Sequence, residues 1–572
     1  MRNLICLLLL LLILSAFSPP GLLIKRYDII ITEIMADPSP SAGLPEHEFV
    51  ELKNISGKPI DLRGCKLSDE TSNASFAISL ILQPDSFLIC CANSAAAALQ
   101  PYGRTIGLSN FPSLGNDNDL IQLIGPQGNI IHAIAYESSW YRNPIKTDGG
   151  WSLEMISTLQ YCSSSQNWMA SNAPIGGTPG HKNSVDKELP DDLSPAMLRT
   201  YTTDSLHLIA VFDEPVDSIT ASAVTHFKME GMSTPVFCAA MPPLFNEVQI
   251  SLPVALKENN VYKLQVTDLR DCSGNSIGIV NSAKAGRPSP ASAGDIVINE
   301  LLADPPPEGE DFAELLNTSK KIIDLNKLFF SNRSASNLLA HSKTVAEKPF
   351  LLFPGDFLAI CISSEWLAQK YQVHDLNTLL RASSLPSLPN EKGTLVLSNA
   401  SGEILDEVAY RADWHFPLLQ SGKGISLERI DPLQPAVKNN FMSAAITAGG
   451  GTPGRINSQY RTNLDVQGHF QLSSTVFSPD LDGFDDLLHI QYNMKSPGSV
   501  ATIQIFDLDG KPVRILAKNA LMGSSGGFVW DGLSESKLAL PSGIYFVHAS
   551  WFNTAGIARK WKAAVVLTRK KN

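Results

Sequence analysis

Positive charge is in short supply. The chain sets 45 Lys and Arg against 56 Asp and Glu, a formal net charge of -11. A nucleic-acid-binding face normally carries a basic stripe, and no long basic run is present to supply one. Arg569, Lys570 and Lys571 form only a short tail, which reads as solvated. Long apolar runs are also scarce. Leu4–Ala16 is nearly all apolar, but no later stretch approaches the ~20 residues that a membrane helix needs. Short catalytic signatures are missing: there is no H-E-x-x-H and no G-x-x-x-x-G-K-[ST]. Gly523–Gly527 and Gly449–Gly454 fit G-x-S-x-G and G-x-G-x-x-G on paper, but neither lies in the strand–turn–helix setting those motifs require. Cysteine is sparse as well, with 8 in 572 residues. Cys6 lies in the first apolar run, leaving Cys65, Cys90, Cys91, Cys162, Cys238, Cys272 and Cys361 without a repeating framework.

What is present begins with a targeting segment. Met1-Arg2 gives a positive start, Leu4–Ala16 an apolar stretch, and Ala16-Phe17-Ser18 small residues at a cleavage position. Residues 1–18 therefore read as a secretory signal. Export permits disulfides. Cys238 and Cys272 fall in one predicted domain and are candidates to pair. Cys91 and Cys361 occupy matching apolar strands and read as buried free thiols.

A duplication organises the remainder. Ile29–Glu33 reads IIITE and continues IMADPSP, while Ile296–Glu300 reads IVINE and continues LLADPPP. Each copy closes alike, with GGTPGHKNS at Gly176–Ser184 and GGTPGRINS at Gly450–Ser458. Between these marks lie short alternating runs bounded by turn residues, the pattern of β-sandwiches. Ile60–Leu62 and Cys65–Ser68 read as a strand pair, Leu120–Ile124 and Ile130–Tyr136 as a hairpin, and Asn93–Leu99 as a brief helix, lengthened in the second copy to Trp366–Leu380. At ~100–200 residues per domain the chain holds three to five domains. The divisions fall at 27–185 and 294–459 for the copies, 190–282 for a separate β-domain, and 465–572 for a last small sandwich, with linkers at Lys187–Pro190 and Ala283–Ala293. The expected fold class is all-β, tandem immunoglobulin-like sandwiches with a short helix in each copy.

The ordered motifs (N/T)-E-(I/L)-(M/L)-A-D-P, F-x-E-L, I-D-L, (W/I)-S-L-E and G-G-T-P-G-x-x-N-S resemble the lamin tail domain, in the form found in secreted proteins of Bacteroidetes-type bacteria. The resemblance spans each copy and implies an immunoglobulin-like sandwich on surface or secreted proteins, with no catalytic residues. Val211–Val216 and Asp271–Asn275 resemble a bacterial Ig-like domain of surface-layer proteins. Phe477–Asp486, Ile505–Gly510, Val529–Gly532 and Pro541–Tyr545 are similar to the Ig-like domain of flagellar hook-capping proteins and to C-terminal domains of gliding-motility and type IX-secreted proteins. That last likeness leaves a sorting role and a plain structural role both open.

Two constellations bear on chemistry. Asp480, Asp482, Asp485 and Asp486 surround Gly483, and alternating Asp about a Gly turn can supply oxygens to calcium. An Asp/Gly turn capped by its own side chains is the competing reading, and position twelve of an EF-hand count is Gln491. Glu33, Glu51, Glu300 and Glu314 recur between the copies with Asp37 and Asp304. Paired carboxylates can do acid–base work or hold a cation, but no His or Lys recurs beside them, so they read as fixing turns and backbone donors at sheet ends. Asn54 and Asn317 share a turn, where Asn tolerates the left-handed conformation. The function expected is an exported surface or extracellular protein that scaffolds or binds cell-envelope or extracellular protein or carbohydrate. A divalent-metal-dependent hydrolase or nuclease accessory is the rival.

Overall fold

The computed structural model describes residues 23–69, 71–162, 165–461, 469–495, 497–554 and 556–569. The expected signal segment, Lys570 and Lys571 lie outside them. Strands dominate, and the chain divides into two compact units, residues 1–255 with 262–285 and residues 256–261 with 286–572. Among the described residues no helix is long and apolar enough to cross a membrane, which says nothing of a β-barrel.

The first copy is a two-sheet sandwich. Its larger sheet runs Trp168–Ala170, Leu153–Met155, Ile29–Met35, Phe49–Asn54, Phe87–Ala92, Thr105–Leu108; the facing sheet runs Ile130–Glu137, Asn118–Ile124, Lys66–Ser68, Asn73–Ser75. Ile29, Ile31, Val50, Leu52, Leu88 and Cys90 point inward and share one core with Leu67, Ile121, Leu123 and Ile131 of the facing sheet. Each such side chain withdrawn from water contributes roughly 1.5–3 kcal/mol. The outer face of the larger sheet is covered too: Met35, Phe49, Ile89 and Cys91 pack under the short helix Ala96–Leu99. Burial on both faces explains why Ile29–Met35 is buried at every position.

The second copy, in the other unit, repeats this order strand for strand. Its larger sheet runs Phe441–Ser443, Leu427–Arg429, Ile296–Leu302, Phe312–Asn317, Phe357–Cys361, Leu379–Arg381. Both copies carry a bulge in the opening strand, between Ile31 and Glu33 and between Ile298 and Glu300. A shift of one residue turns the following side chains to the opposite face. The bulge therefore sends Glu33 and Glu300 to the outer face, although Ile29, Ile31, Ile296 and Ile298 face the core.

The domain between the copies pairs Met197–Thr202, His207–Phe212, Glu247–Ser251 and Phe237–Ala240 in one sheet, with Phe227–Met229, Tyr262–Val266 and Ser282–Ala285 in the other. In the last domain a three-stranded sheet (His469–Leu472, Leu488–Asn493, Ser525–Trp530) joins a five-stranded one around buried Trp530.

Several local expectations are corrected. Ile60–Asp61 pairs with Ile81–Leu82 rather than with Lys66–Ser68, which lies between Asn73–Ser75 and Asn118–Ile124. The helix of the second copy is Ser364–Tyr371; Gln372 takes a left-handed conformation that stops it, and Leu379–Arg381 is a strand parallel to Phe357–Cys361. Ser282–Ala285, which overlaps the start of the expected linker Ala283–Ala293, is an edge strand. Cys272 is joined to Cys162, not to Cys238, across a Cα–Cα distance of 6.0 Å. Cys238 is a buried free thiol, as are Cys91 and Cys361. Asn54 and Asn317 are not left-handed. Each acts through its side chain: Asn54 Nδ2 donates to the Lys58 and Leu82 carbonyls, both at 2.9 Å, and its Oδ1 accepts from Ser56. Arg569 is not a solvated tail residue. Its guanidinium donates to the Leu540, Pro479 and Gly532 carbonyls, tying three loops together.

Candidate functional site

The recurrent glutamates sit mid-strand, not at sheet ends, and each pair is completed by a third. Glu33 lies across from Glu51 on one side and Glu154 on the other; Glu300 lies across from Glu314 and Glu428. All six are buried to 0% exposure. Like charges directly opposite one another in a sheet are destabilising, so the site must supply either protons or donors.

The donors come from the closing segment. In the first copy the Thr178 amide donates to Glu33 (2.8 Å) and the Gly180 amide to Glu51 (2.6 Å); the Thr178 hydroxyl (2.8 Å) and the Ser184 hydroxyl (2.7 Å) donate to Glu154. Asn183 Nδ2 donates to the Thr32 and Met155 carbonyls. In the second copy the Thr452 amide serves Glu300 (2.9 Å), the Gly454 amide Glu314 (2.6 Å), and the Thr452 and Ser458 hydroxyls Glu428 (2.7 and 2.8 Å). Asn457 repeats the role of Asn183. Thr, the last Gly and Asn of G-G-T-P-G-x-x-N-S thus each bond to the first two strands of their copy, and Ser bonds to the glutamate of the S-L-E strand. The last Gly is required sterically. Gly180 and Gly454 have φ of +82° and +78°, and an added Cβ would come within 2.5 Å of the Tyr102 carbonyl oxygen or 2.0 Å of Thr378 Oγ1.

Donors do not satisfy every lone pair, and burial favours the protonated form of these carboxyls. Burial, reinforced by Glu51 and Glu154, holds Glu33 well above the usual carboxylate range, and its Oε2 is buried without a hydrogen-bond partner. Burial pushes Glu51 up to about 8. Burial with the charge of Glu428 pushes Glu300 up to about 8, and burial with Glu300 raises Glu314 well above its usual value. Burial also raises Glu428. Both clusters are sealed from solvent.

The bulge amides are closed differently in each copy. The Ile31 amide donates to His132 Nδ1 (3.0 Å), while the Ile298 amide donates to Asp406 Oδ2 (2.8 Å), with Arg429 beside Asp406 at 3.1 Å. Burial lowers His132 to about 4, which keeps Nδ1 an acceptor. Thr32 bonds Glu51 where Asn299 bonds Glu314. Asp37 and Asp304 stand apart: Asp37 accepts from the Ser39 amide, and Asp304 from Asn390. Sequence reading missed Glu154 and Glu428 as partners, although both stand in the matched S-L-E motif.

In the last domain Asp480, Asp482 and Asp486 each bring one oxygen within 4.8 Å of the others; Asp485 lies outside that group. Asp485 has φ +51° and its carbonyl accepts the Ser478 amide. Asp486 accepts the amides of Asp480, Leu481 and Gly483. The turn is therefore capped by its own side chain: Asp486 Oδ1 already accepts two amides, while its Oδ2 accepts only that of Gly483 and keeps a lone pair for a cation. A groove of about 390 Å³ opens elsewhere in this unit, in the second copy, between Asp304, Asn390 and the 412–422 loop, with His415 on its wall.

No curated protein matches the chain. Among solved structures it is similar to the N-terminal part of the bacterial S-layer protein SbsC, at 14% identity over 38% of this chain and 44% of that one, with a TM-score of 0.17. It is also similar to the Bacteroides ovatus mixed-linkage glucan utilization locus protein SGBP-B, at 10% identity over 90% and 94% of the two chains, TM-score 0.17. PorU of Porphyromonas gingivalis is similar at 9% identity over 71% of this chain and 35% of that chain, TM-score 0.15. At these scores none of them bears on function. The chain spans less than half the length of the S-layer fragment. Residues 25–138, within the first copy, match the model of the Lamin Tail Domain.

Proposed function

We propose that the chain is a non-catalytic exported protein of the cell surface or extracellular space, a scaffold whose sandwiches present loops for adhesive contact with envelope or extracellular protein or carbohydrate. One observation carries this reading. The carboxylates that the two copies share are sealed at 0% exposure and bonded to the closing segment, so what duplication preserves is the fold. Binding then belongs to the surfaces where the copies differ, such as the groove beside the 412–422 loop. The same burial weighs against the metal-hydrolase rival, since a substrate has no access to Glu33 or Glu300. Calcium held by Asp480, Asp482 and Asp486 is part of this reading, as a structural ion in the last domain.

The test is capture of cell-envelope material by the purified chain, compared with a chain whose 412–422 loop is replaced by a Gly/Ser linker. Reduced capture with an unchanged melting profile supports the reading. Metal-dependent hydrolysis that disappears on Glu33→Gln or Glu300→Gln overturns it.

A further inference from the structure

Outside the two glutamate clusters, a third set of carboxylates converges in the first unit. Asp191 lies just beyond the Lys187–Pro190 linker, Glu214 follows the strand His207–Phe212, and Asp271 opens the Asp271–Asn275 loop. An isolated bridge between Val216 and Asp271 draws the last two segments together. One oxygen of each carboxylate lies within 4.8 Å of the other two.

Their surroundings differ from those of the glutamate clusters. Asp271 is committed to its own loop: Oδ1 accepts the Gly274 and Asn275 amides and Oδ2 accepts Asn275 Nδ2. Asp191 Oδ2 accepts the Ser273 hydroxyl at 2.8 Å, but its Oδ1 is buried with no partner at normal hydrogen-bonding geometry. Glu214 is 6% exposed, and its carboxylate makes no hydrogen bond or ion pair among the described residues. It is a buried acid aimed at two other acids, with no donor of its own. Burial, then the charges of Asp213, Asp271 and Asp191, push it up to about 8. No closing segment delivers amides here, and no Lys or Arg pairs with any of the three among the described residues.

We propose that Asp191, Glu214 and Asp271 form a binding site for a divalent cation of the calcium class, which fastens the linker to the domain that follows it. The donor set is all oxygen and comes from three separate segments. Calcium accepts such irregular sets at coordination numbers of about 6–8, with water completing the shell, whereas magnesium demands a near-ideal octahedron. The site adjoins the Cys162–Cys272 disulfide, since the Ser273 hydroxyl that holds Asp191 also lies 3.7 Å from Cys162 Sγ. A covalent and an ionic tie would then meet at one junction.

The experiment is equilibrium dialysis of the full oxidised chain against radioactive calcium up to about 5 mM, above the ~10⁻⁴–10⁻³ M dissociation constants of extracellular calcium modules. Asp480→Asn and Asp482→Asn are built into every sample to remove the last-domain loop. Glu214→Gln and, separately, Asp191→Asn are each expected to bind one calcium fewer than this parent. Calcium is also expected to slow tryptic cleavage at Lys187 in the parent and not in Asp191→Asn. Asp191 is only half-buried on a linker, so its variant keeps the folded domains, checked by an unchanged melting profile in chelator. A parent that binds no calcium, or variants that bind as much as the parent, overturns the proposal.

Discussion

Replacing Glu300 distinguishes a sealed acidic cluster from a functional carboxylate. Glu300 accepts the Thr452 amide at 2.9 Å, and the Ser426 hydroxyl donates to it as well. Glu300→Ala leaves the Thr452 amide without an acceptor, while the Ser426 hydroxyl can turn to the Gly450 carbonyl, so a loss of about 1–3 kcal/mol is expected. Glu300→Gln keeps an oxygen in place and discards the charge, and its effect depends on pH. The folded-state carboxyl sits at about 8 against an ordinary 4.5. A raised carboxyl binds its proton more tightly in the folded state, so its contribution is greatest below about pH 4.5 and declines as pH rises toward about 8. The limiting slope is about 1.4 kcal/mol per pH unit for one retained proton. At pH 5 the Gln variant should match the parent within about 1 kcal/mol; at pH 8 it should equal or exceed it. The assay is hydrogen exchange of peptides spanning the closing segment 449–458, in the full chain, from pH 5 to 8, corrected for intrinsic exchange. A parent-minus-variant difference that does not change with pH, or a Gln variant as damaged as Ala at pH 5, refutes the reasoning.

Three further outcomes are expected. Serine at both Cys162 and Cys272 opens a loop of 110 residues and should cost about 2–5 kcal/mol, read as a lower calorimetric transition for the first unit alone. Asn317→Ala strips the Lys321 and Leu352 carbonyls of their donor and should cost about 2–4 kcal/mol in denaturant unfolding, with Asn317→Asp no milder because it also lacks the amide donor. Calcium at about 100 times its dissociation constant should stabilise the last domain by about 2.7 kcal/mol in thermal unfolding; Asp480→Asn with Asp482→Asn should abolish the shift, and an unmoved parent rejects that loop as a calcium site.

The duplication and most strands were legible because alternation and turn chemistry are local properties. The hairpin Asn118–Ile124 with Ile130–Glu137 is an example, closed by Gly128 at φ +84°. What escaped was set by distance through space. The partnership of Glu33 with Glu154 spans 121 residues of sequence and depends on a bulge that strict alternation does not reveal. The link from Cys162 to Cys272 joins two predicted domains, so confining pairs to one domain misdirected the choice. Leu379–Arg381 looked helical because its apolar residues continue those of the preceding helix, yet a left-handed Gln372 ends that helix eight residues after it begins. For the acid cluster, Glu214 and Asp271 were already visible in recognisable motifs. Only the fold puts Asp191 beside them.

The closing segment also has a meaning in time. Glu33 is among the first residues of its copy, and the Thr178 amide that serves it arrives 145 residues later; in the second copy the wait from Glu300 to Thr452 is 152 residues. Until that segment is in place, Glu33 has the Ser152 hydroxyl and Glu51 the Thr32 hydroxyl, but neither has its backbone amide. The final motif supplies both at once, so a truncated copy keeps an unsatisfied acidic centre. Each copy therefore ties its first strands to its last residues, and its acidic centre has all its donors only with the end in place.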